Sequence, residues 1–345
     1  MRSGTPRARA RFASLLAALV VIGVALAGCG GGSTSGRSST AGSGAKPKKI
    51  ITFVYGPRGF NDVTKAWFNG FDAAKAQLGS AVTVEEKATG KPETDAAAYL
   101  DFIRSALVEQ PDGIVVVPNN AAAMTAGLQQ IAAGGTKVLI MDQDVPGMKG
   151  KVAFVGTDNV KAGERAASWM VAQLKGRQLR SNQIGVLGST PGISSTDDRL
   201  KGFLQGIRGS GLTVVSKLAP ACNDSADSRA AMADMLSAHP NLGGVFSVCD
   251  VIALGAAQAL KAQGKLDVKQ VSIDASEAGV NLILSNGGID AEVAQHLLRV
   301  GQESVLTLAQ ALDGKPVPAT VDTGTDLVTR ANARAYLAKA AAESR

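Results

Sequence analysis

Histidine is nearly missing from this chain: His239 and His296 are the two in 345 residues, and neither has a metal-type or triad-type partner nearby in sequence. The G-x-S-x-G and H-E-x-x-H motifs, the phosphate-cradling lysine loop and the dinucleotide glycine fingerprint are absent too. Hydrolytic, zinc-dependent and nucleotide-dependent catalysis therefore have nothing to rest on, and neither an enzyme, a cofactor nor a metal site is expected. Aromatic residues make up 4 % of the chain, and no basic patch is interleaved with them, which argues against nucleic acid as a partner. His239 precedes Pro240 and reads as a solvated turn residue, whereas His296 follows Gln295 and is open to a contact role.

Positive charge is present but concentrated at one end. The formal net charge is +7, yet Arg2, Arg7, Arg9 and Arg11 all precede an apolar run that ends in Leu26-Ala27-Gly28-Cys29. A basic segment, a short apolar segment and small residues form an export signal rather than a membrane span, and the last four resemble a bacterial lipobox. That resemblance implies removal of residues 1–28 and an acyl-bearing (palmitate-type) Cys29 that ties an extracytoplasmic protein to the cell membrane. Residues 29–48 are rich in Gly, Ser and Thr and read as a flexible tether. With the leader and tether set aside, the remainder is near neutral.

About 300 residues follow, enough for two domains with separate cores. Residues 49–55, 81–86, 113–117 and 137–141 are short aliphatic runs of the kind found in strands buried on both faces. Between them, residues 63–78, 94–109 and 121–133 carry helical periodicity. The pattern then restarts, with strands expected at 152–155, 183–187, 212–215, 244–247 and 270–273, and helices at 160–174, 198–207, 228–237, 251–262, 279–284 and 300–312. Two doubly wound α/β lobes with parallel sheets are implied.

In such sheets ligands bind beyond the carboxyl ends of the strands. The polar residues there are Asn61 and Asp62, Asn119 and Asn120, Asp142-Gln143-Asp144, Thr157-Asp158-Asn159, Ser189-Thr190, Cys222-Asn223-Asp224, Cys249-Asp250, Asp274 and Gln295. Carboxylates, amides and hydroxyls at almost every strand end suit a polyhydroxylated molecule. The same residue types cap helices at strand-to-helix turns. Capping is the expectation for Asp158, Asn159 and Asp250, and ligand contact for Asp142 and Asp274.

Four segments, 111–118, 156–159, 238–246 and 249–256, carry a resemblance to the periplasmic sugar-binding proteins of the ribose-binding type, which extends over residues 49 to about 327. The resemblance implies the type I periplasmic binding protein fold, in which two lobes joined by a multi-strand hinge close on a small solute. The amino-terminal lobe would be 49–157 completed by about 296–324, and the carboxyl-terminal lobe 158–295 completed by about 325–345. It further implies a monomer that delivers a sugar or similar solute to the permease of an ABC importer; a sensory receptor of the same fold, signalling to a membrane kinase or chemoreceptor, is the alternative. Carried across by position, ligand contacts fall on Asn61, Asp142, Asp274 and Gln295. The chain departs from the family at four contact positions, with Gln143 in place of an arginine, a second contact arginine falling near Asp197, Cys249 in place of an asparagine and Asn223 in place of an aromatic. Val63 and Thr64 stand where phenylalanines would stack on the sugar, leaving Phe60 and Trp67 as the nearest rings in sequence.

With Cys29 lipidated, Cys222 and Cys249 remain as an even pair in an oxidising compartment. In the family's strand order a third strand separates theirs, which spaces the strand ends at roughly 10 Å, beyond the reach of a disulfide. Cys222 lies several residues past its strand and loop residues can close the gap, so a bridge and a pair of free thiols both remain open.

Overall fold

A computed structural model describes residues 46–90, 95–175 and 181–343. The expected leader, Cys29 and most of the tether lie outside the described residues, as does Thr94 at the start of one expected helix. In the first half, β1 (Lys48–Val54), α1 (Asp62–Leu78), β2 (Val82–Ala88), α2 (Ala96–Ala106), β3 (Gly113–Val116), α3 (Ala121–Ala133), β4 (Lys137–Met141) and β5 (Lys151–Gly156) alternate without interruption. The second half repeats the scheme with α4 (Asn159–Lys175), β6 (Gln183–Leu187), α5 (Ser194–Gly206), β7 (Thr213–Leu218), α6 (Ser225–Ala238), β8 (Gly244–Ser247), α7 (Asp250–Ala262), β9 (Lys269–Asp274), α8 (Glu277–Ser285) and β10 (Ala291–Gln295). The chain closes with α9 (Leu297–Leu312), β11 (Thr320–Asp322), β12 (Thr325–Thr329) and α10 (Ala333–Glu343).

Two six-stranded sheets result, in the orders β11-β5-β4-β3-β1-β2 and β12-β10-β9-β8-β6-β7. Every pairing is parallel except β10 with β12. Central strands such as β3 and β8 are buried at every position, which is why they read as unbroken apolar runs rather than as alternation. Helices cover both faces of the first sheet. Tyr99, Ile103, Met124 and Leu128 fill one side, and Trp67, Phe71, Val300 and Leu308 the other, each contributing about 1.5–3 kcal/mol of burial.

The chain passes between the sheets three times: from β5 into α4, from β10 into α9, and from β11 into β12. Each lobe also contains helices in backbone contact, one pair in the first lobe and two in the second, where Gly255 of α7 meets the Ser225 carbonyl of α6 in addition to the α4 and α5 pair. A Cβ on Gly70 of α1 would overlap the Leu298 carbonyl of α9, and one on Gly301 would overlap that of Trp67; Gly163 of α4 and Gly202 of α5 stand in the same relation to Arg199 and Val160. No helix of the described residues is long and apolar enough to cross a membrane, and among them no group of His, Cys, Asp or Glu could hold a metal ion.

Candidate functional site

The carboxyl ends of β4 and β9 supply one carboxylate each. Asp142, directly after β4, has φ +65°, a left-handed conformation that aspartate tolerates better than most residues. Its N–H donates to the Val155 carbonyl at 2.9 Å, so the turn is held to β5. The carboxyl group is half-buried and has no hydrogen-bond or ion-pair partner among the described residues. Burial pushes its pKa up to about 6, the charge of Asp274 adds to the rise, and Arg199 opposes it. The charge of Asp274 is thus felt at Asp142, a residue of the opposite lobe.

Asp274 ends β9 with φ +121°, followed by Ala275 at +60°. Two consecutive residues in this region cost about 1–3 kcal/mol each, a strain that collects at functional sites. The Asp274 carboxylate is tied down on both oxygens. Oδ1 accepts from Gln295 Nε2 at 2.6 Å and pairs with Arg199 Nη1 at 3.0 Å, while Oδ2 accepts from the Asp250 N–H at 3.3 Å.

Arg199 is the residue that the sequence reading missed. The second contact arginine of the family is expected near Asp197, which the structure leaves exposed, accepting from the Gly192 N–H at 2.9 Å. Two positions on, Arg199 is buried. Its Nε donates to Asn159 Oδ1 at 2.9 Å and its Nη1 to the Val248 carbonyl at 3.1 Å. The close passage of α4 over α5 brings Asn159 and Arg199 together. A signal was available in sequence: Thr196, Arg199, Gly202 and Phe203 are the buried residues of α5, and their spacing marks one helical face.

The remaining polar chain runs into the hinge. Thr157 Oγ1 donates to Gln295 Oε1 at 2.8 Å, and Asn159 Nδ2 donates to the Thr157 carbonyl at 3.2 Å. Asn159 is thus a strut for Arg199 rather than the helix cap expected of it. Asp158 does cap α4, accepting from the Lys161 N–H at 3.0 Å. Asp250 does not cap α7, since that position is taken by Cys249 and the Asp250 carboxyl is buried. Tyr55, another residue not foreseen, is half-buried just past β1; burial, together with the charges of Asp142 and Asp274, raises its pKa. Its ring meets Trp67 edge-on at 5.8 Å.

Asn61 caps α1, its Oδ1 accepting from the Thr64 N–H at 2.9 Å, which leaves the exposed amide NH2 for any ligand. Phe60 is 49 % exposed. Gln143 is half-buried beside Asp142, and Asn223 is exposed in the loop after β7. His296 clasps the hinge, with Nδ1 2.8 Å from the Thr323 carbonyl and Nε2 2.9 Å from Asp326 Oδ2. The Ser194 hydroxyl of the second lobe donates to the Asp144 carbonyl of the first at 3.2 Å.

Cys222 and Cys249 are bonded in the structure, with Cα atoms 6.5 Å apart. The strand β6 does stand between their strands, and the loop after β7 spans the extra distance.

The periplasmic binding protein domain matches residues 51–316. The ribose import binding protein of Bacillus subtilis is 27 % identical over 239 residues, covering 69 % of this chain and 75 % of that protein. The xylitol-binding protein of Mycolicibacterium smegmatis is 28 % identical over 78 % of this chain and 72 % of its own length. Among solved structures, a carbohydrate transporter solute binding protein from Agrobacterium radiobacter in complex with D-arabinose superposes with a TM-score of 0.75 at 26 % identity, over 87 % of this chain and 99 % of that one. These relatives bind and transport rather than catalyse, in keeping with a sequence devoid of catalytic motifs. With its two wound sheets, its triple crossing and a match over most of its length, the chain belongs to the periplasmic binding protein domain family, in the type I form.

Proposed function

We propose that this protein is the extracytoplasmic solute receptor of an ABC sugar importer, and that it binds a neutral sugar or polyol between its lobes. The observation that carries the reading is the pair Asp142 and Asp274, on strand ends of opposite lobes, one carboxyl unpartnered and the other aligned by Arg199, Gln295 and the Asp250 N–H. A solute hydroxyl bonded to both would couple binding to closure about the three crossings. Gln295, the Asn61 amide and the Phe60 ring complete the expected set of contacts, with Gln143, Asp197, Asn223 and Cys249 at its margin. Ribose, xylitol and D-arabinose, named for the relatives, are all polyhydroxylated, which supports the class without choosing among its members.

Delivery in this reading is by a monomer tethered through lipid on Cys29, which presents its loaded lobes to permease subunits. The Cys222–Cys249 bridge would persist in the oxidising space outside the cytoplasm. A thermal-shift panel of pentoses, hexoses, pentitols and inositols, followed by calorimetry, tests the proposal. The expected result is micromolar or tighter binding of one polyhydroxylated class, lost in Asp142→Ala and Asp274→Ala. Retention of affinity in both folded variants would place the site elsewhere.

A further inference from the structure

Behind Asp274, on the side away from the cleft, lies a second pair of carboxyl groups. Glu292 sits in the middle of β10 and is fully buried, and Asp250 begins α7 at 5 % exposure. Glu292 Oε1 accepts from the Ser272 hydroxyl at 2.5 Å. The other oxygen, Oε2, and Asp250 Oδ1 are buried with no donor among the described residues. Both lie within 2.7 Å of the point where a Cβ on Gly279 of α8 would stand, so they converge on one spot that the absence of a side chain keeps open. No cation pairs with either group among the described residues.

Two bare carboxylates cannot share such a space: each oxygen only accepts, and two buried anions repel. A single proton resolves both problems, giving a carboxylic acid to carboxylate hydrogen bond that satisfies both orphaned oxygens. We propose that Asp250 and Glu292 share one proton, carried mainly by Glu292, and that this pair positions Asp274 for the solute. The positioning half rests on the reading of Asp274 as a solute contact; the proton-sharing half does not.

The asymmetry follows from the surroundings. Burial and the neighbouring Asp250 raise the pKa of Glu292 well above its ordinary value. Asp250 is pushed up less, to about 6, because the Ser276 hydroxyl and N–H favour its anion. The groups facing the pair are Ser272 and Asp274 from β9, Ser276 from α8, and Tyr336 of α10, whose hydroxyl donates to the Ala275 carbonyl at 3.1 Å. Arg199 stands beyond Asp274 and is taken by it. The link to the cleft is short. The Asp250 backbone N–H holds Asp274 Oδ2, so a pair that fastens the first turn of α7 to β10 also fastens that donor. Loss of the shared proton would leave two adjacent buried anions and push the α7 terminus off β10.

The test combines a spectrum with a binding profile on the mature protein. Infrared difference spectra between wild type and Glu292→Gln at about pH 7, where an ordinary carboxyl is ionised, should contain the carbonyl band of a protonated carboxylic acid. Solute affinity of wild type should fall as pH rises from neutral into the alkaline range in which the shared proton is lost, while Glu292→Gln, which donates to Asp250 at every pH, should give a flat profile. Glu292→Leu cannot hold Asp250 and should bind about tenfold more weakly throughout, with Glu292→Gln as the rescue. Absence of the acid band overturns proton sharing whatever the solute proves to be. An acid band with parallel pH profiles in wild type and Glu292→Gln overturns the positioning role. If the Glu292→Leu variant does not fold, the spectrum and profile of Glu292→Gln decide alone. Should Asp274→Ala retain full affinity while the acid band is present, the solute-site reading fails and proton sharing stands.

Discussion

Replacing Arg199 by methionine removes the guanidinium that ties the Asp274 carboxylate to the body of the second lobe. Three acceptors lose a donor together: Asp274 Oδ1, Asn159 Oδ1 and the Val248 carbonyl. Breaking a buried pair by removing one member costs about 3–5 kcal/mol, because the charge left behind is desolvated and uncompensated. The two neutral acceptors hold the estimate toward the upper part of that range. For a protein of this size the melting temperature should drop by roughly 10 °C. The cost should be largely a pair property. Adding Asp274→Asn to Arg199→Met removes the stranded charge, so the double variant should be less destabilised than the two single effects combined, by about 1–3 kcal/mol. Urea unfolding of the four proteins of the cycle measures this directly. Additive effects, or a single Arg199→Met loss below about 1 kcal/mol, would refute the argument that Arg199 is the buried counter-charge of the site.

Asp142 should impose a pH dependence with a defined sign. Its pKa in the folded chain is about 6, above the ordinary 3.8, so between those values the folded state holds a proton that the unfolded state has released, and this group's stabilisation is lost as pH rises through the window. Solute hydroxyls that donate to the ionised carboxylate should bind more tightly over the same rise, and calorimetry at about pH 5 and about pH 7 should show both slopes abolished in Asp142→Asn. Reduction of Cys222–Cys249, which closes a loop of sequence separation 27, should remove about 3–4 kcal/mol by the chain-entropy estimate. It should also weaken solute binding, since Cys249 directly precedes the helix whose first N–H holds Asp274; an unchanged melting temperature after reduction would show that the link is not formed in solution. Cys29→Ala should release the mature protein from the membrane fraction with its fold intact, and persistent covalent lipid on the variant would contradict the lipobox reading.

Most of the architecture was legible because buried parallel strands advertise themselves. Segments such as residues 137–141 and 183–187 carry one polar residue at the start and are otherwise free of polar side chains, and the structure places strands over those same residues. What escaped notice was apolar structure built around polar side chains. β10 carries Glu292 at its centre, and a charged residue there reads as a break until its partner on α7, some forty residues upstream, is known. Arg199 lies in the run Asp197-Asp198-Arg199-Leu200-Lys201, which has the look of a solvated face; only the tertiary contact with Asn159 turns it inward. Asp142 and Asp274 were visible from their place after apolar strands. The residues that orient them were not, because orientation is a property of pairs drawn from different elements. The short strands β11 and β12 gain their order from the sheets they join rather than from their own composition.

The glycine contacts between α1 and α9 and between α4 and α5 bear on how this molecule can move. Helices that touch backbone to backbone are keyed like teeth of a ratchet: a slide of either one drives a carbonyl into the chain of its neighbour. Shear, in which packed helices glide past one another by small repacking of side chains, is thereby closed off at the main helix pair of each lobe. Deformation is left to the three crossings, at residues 157–158, at His296 and at 323–324. Any movement of one lobe against the other has to bend all three short crossings together, so it would be concentrated there rather than spread into sliding within a lobe.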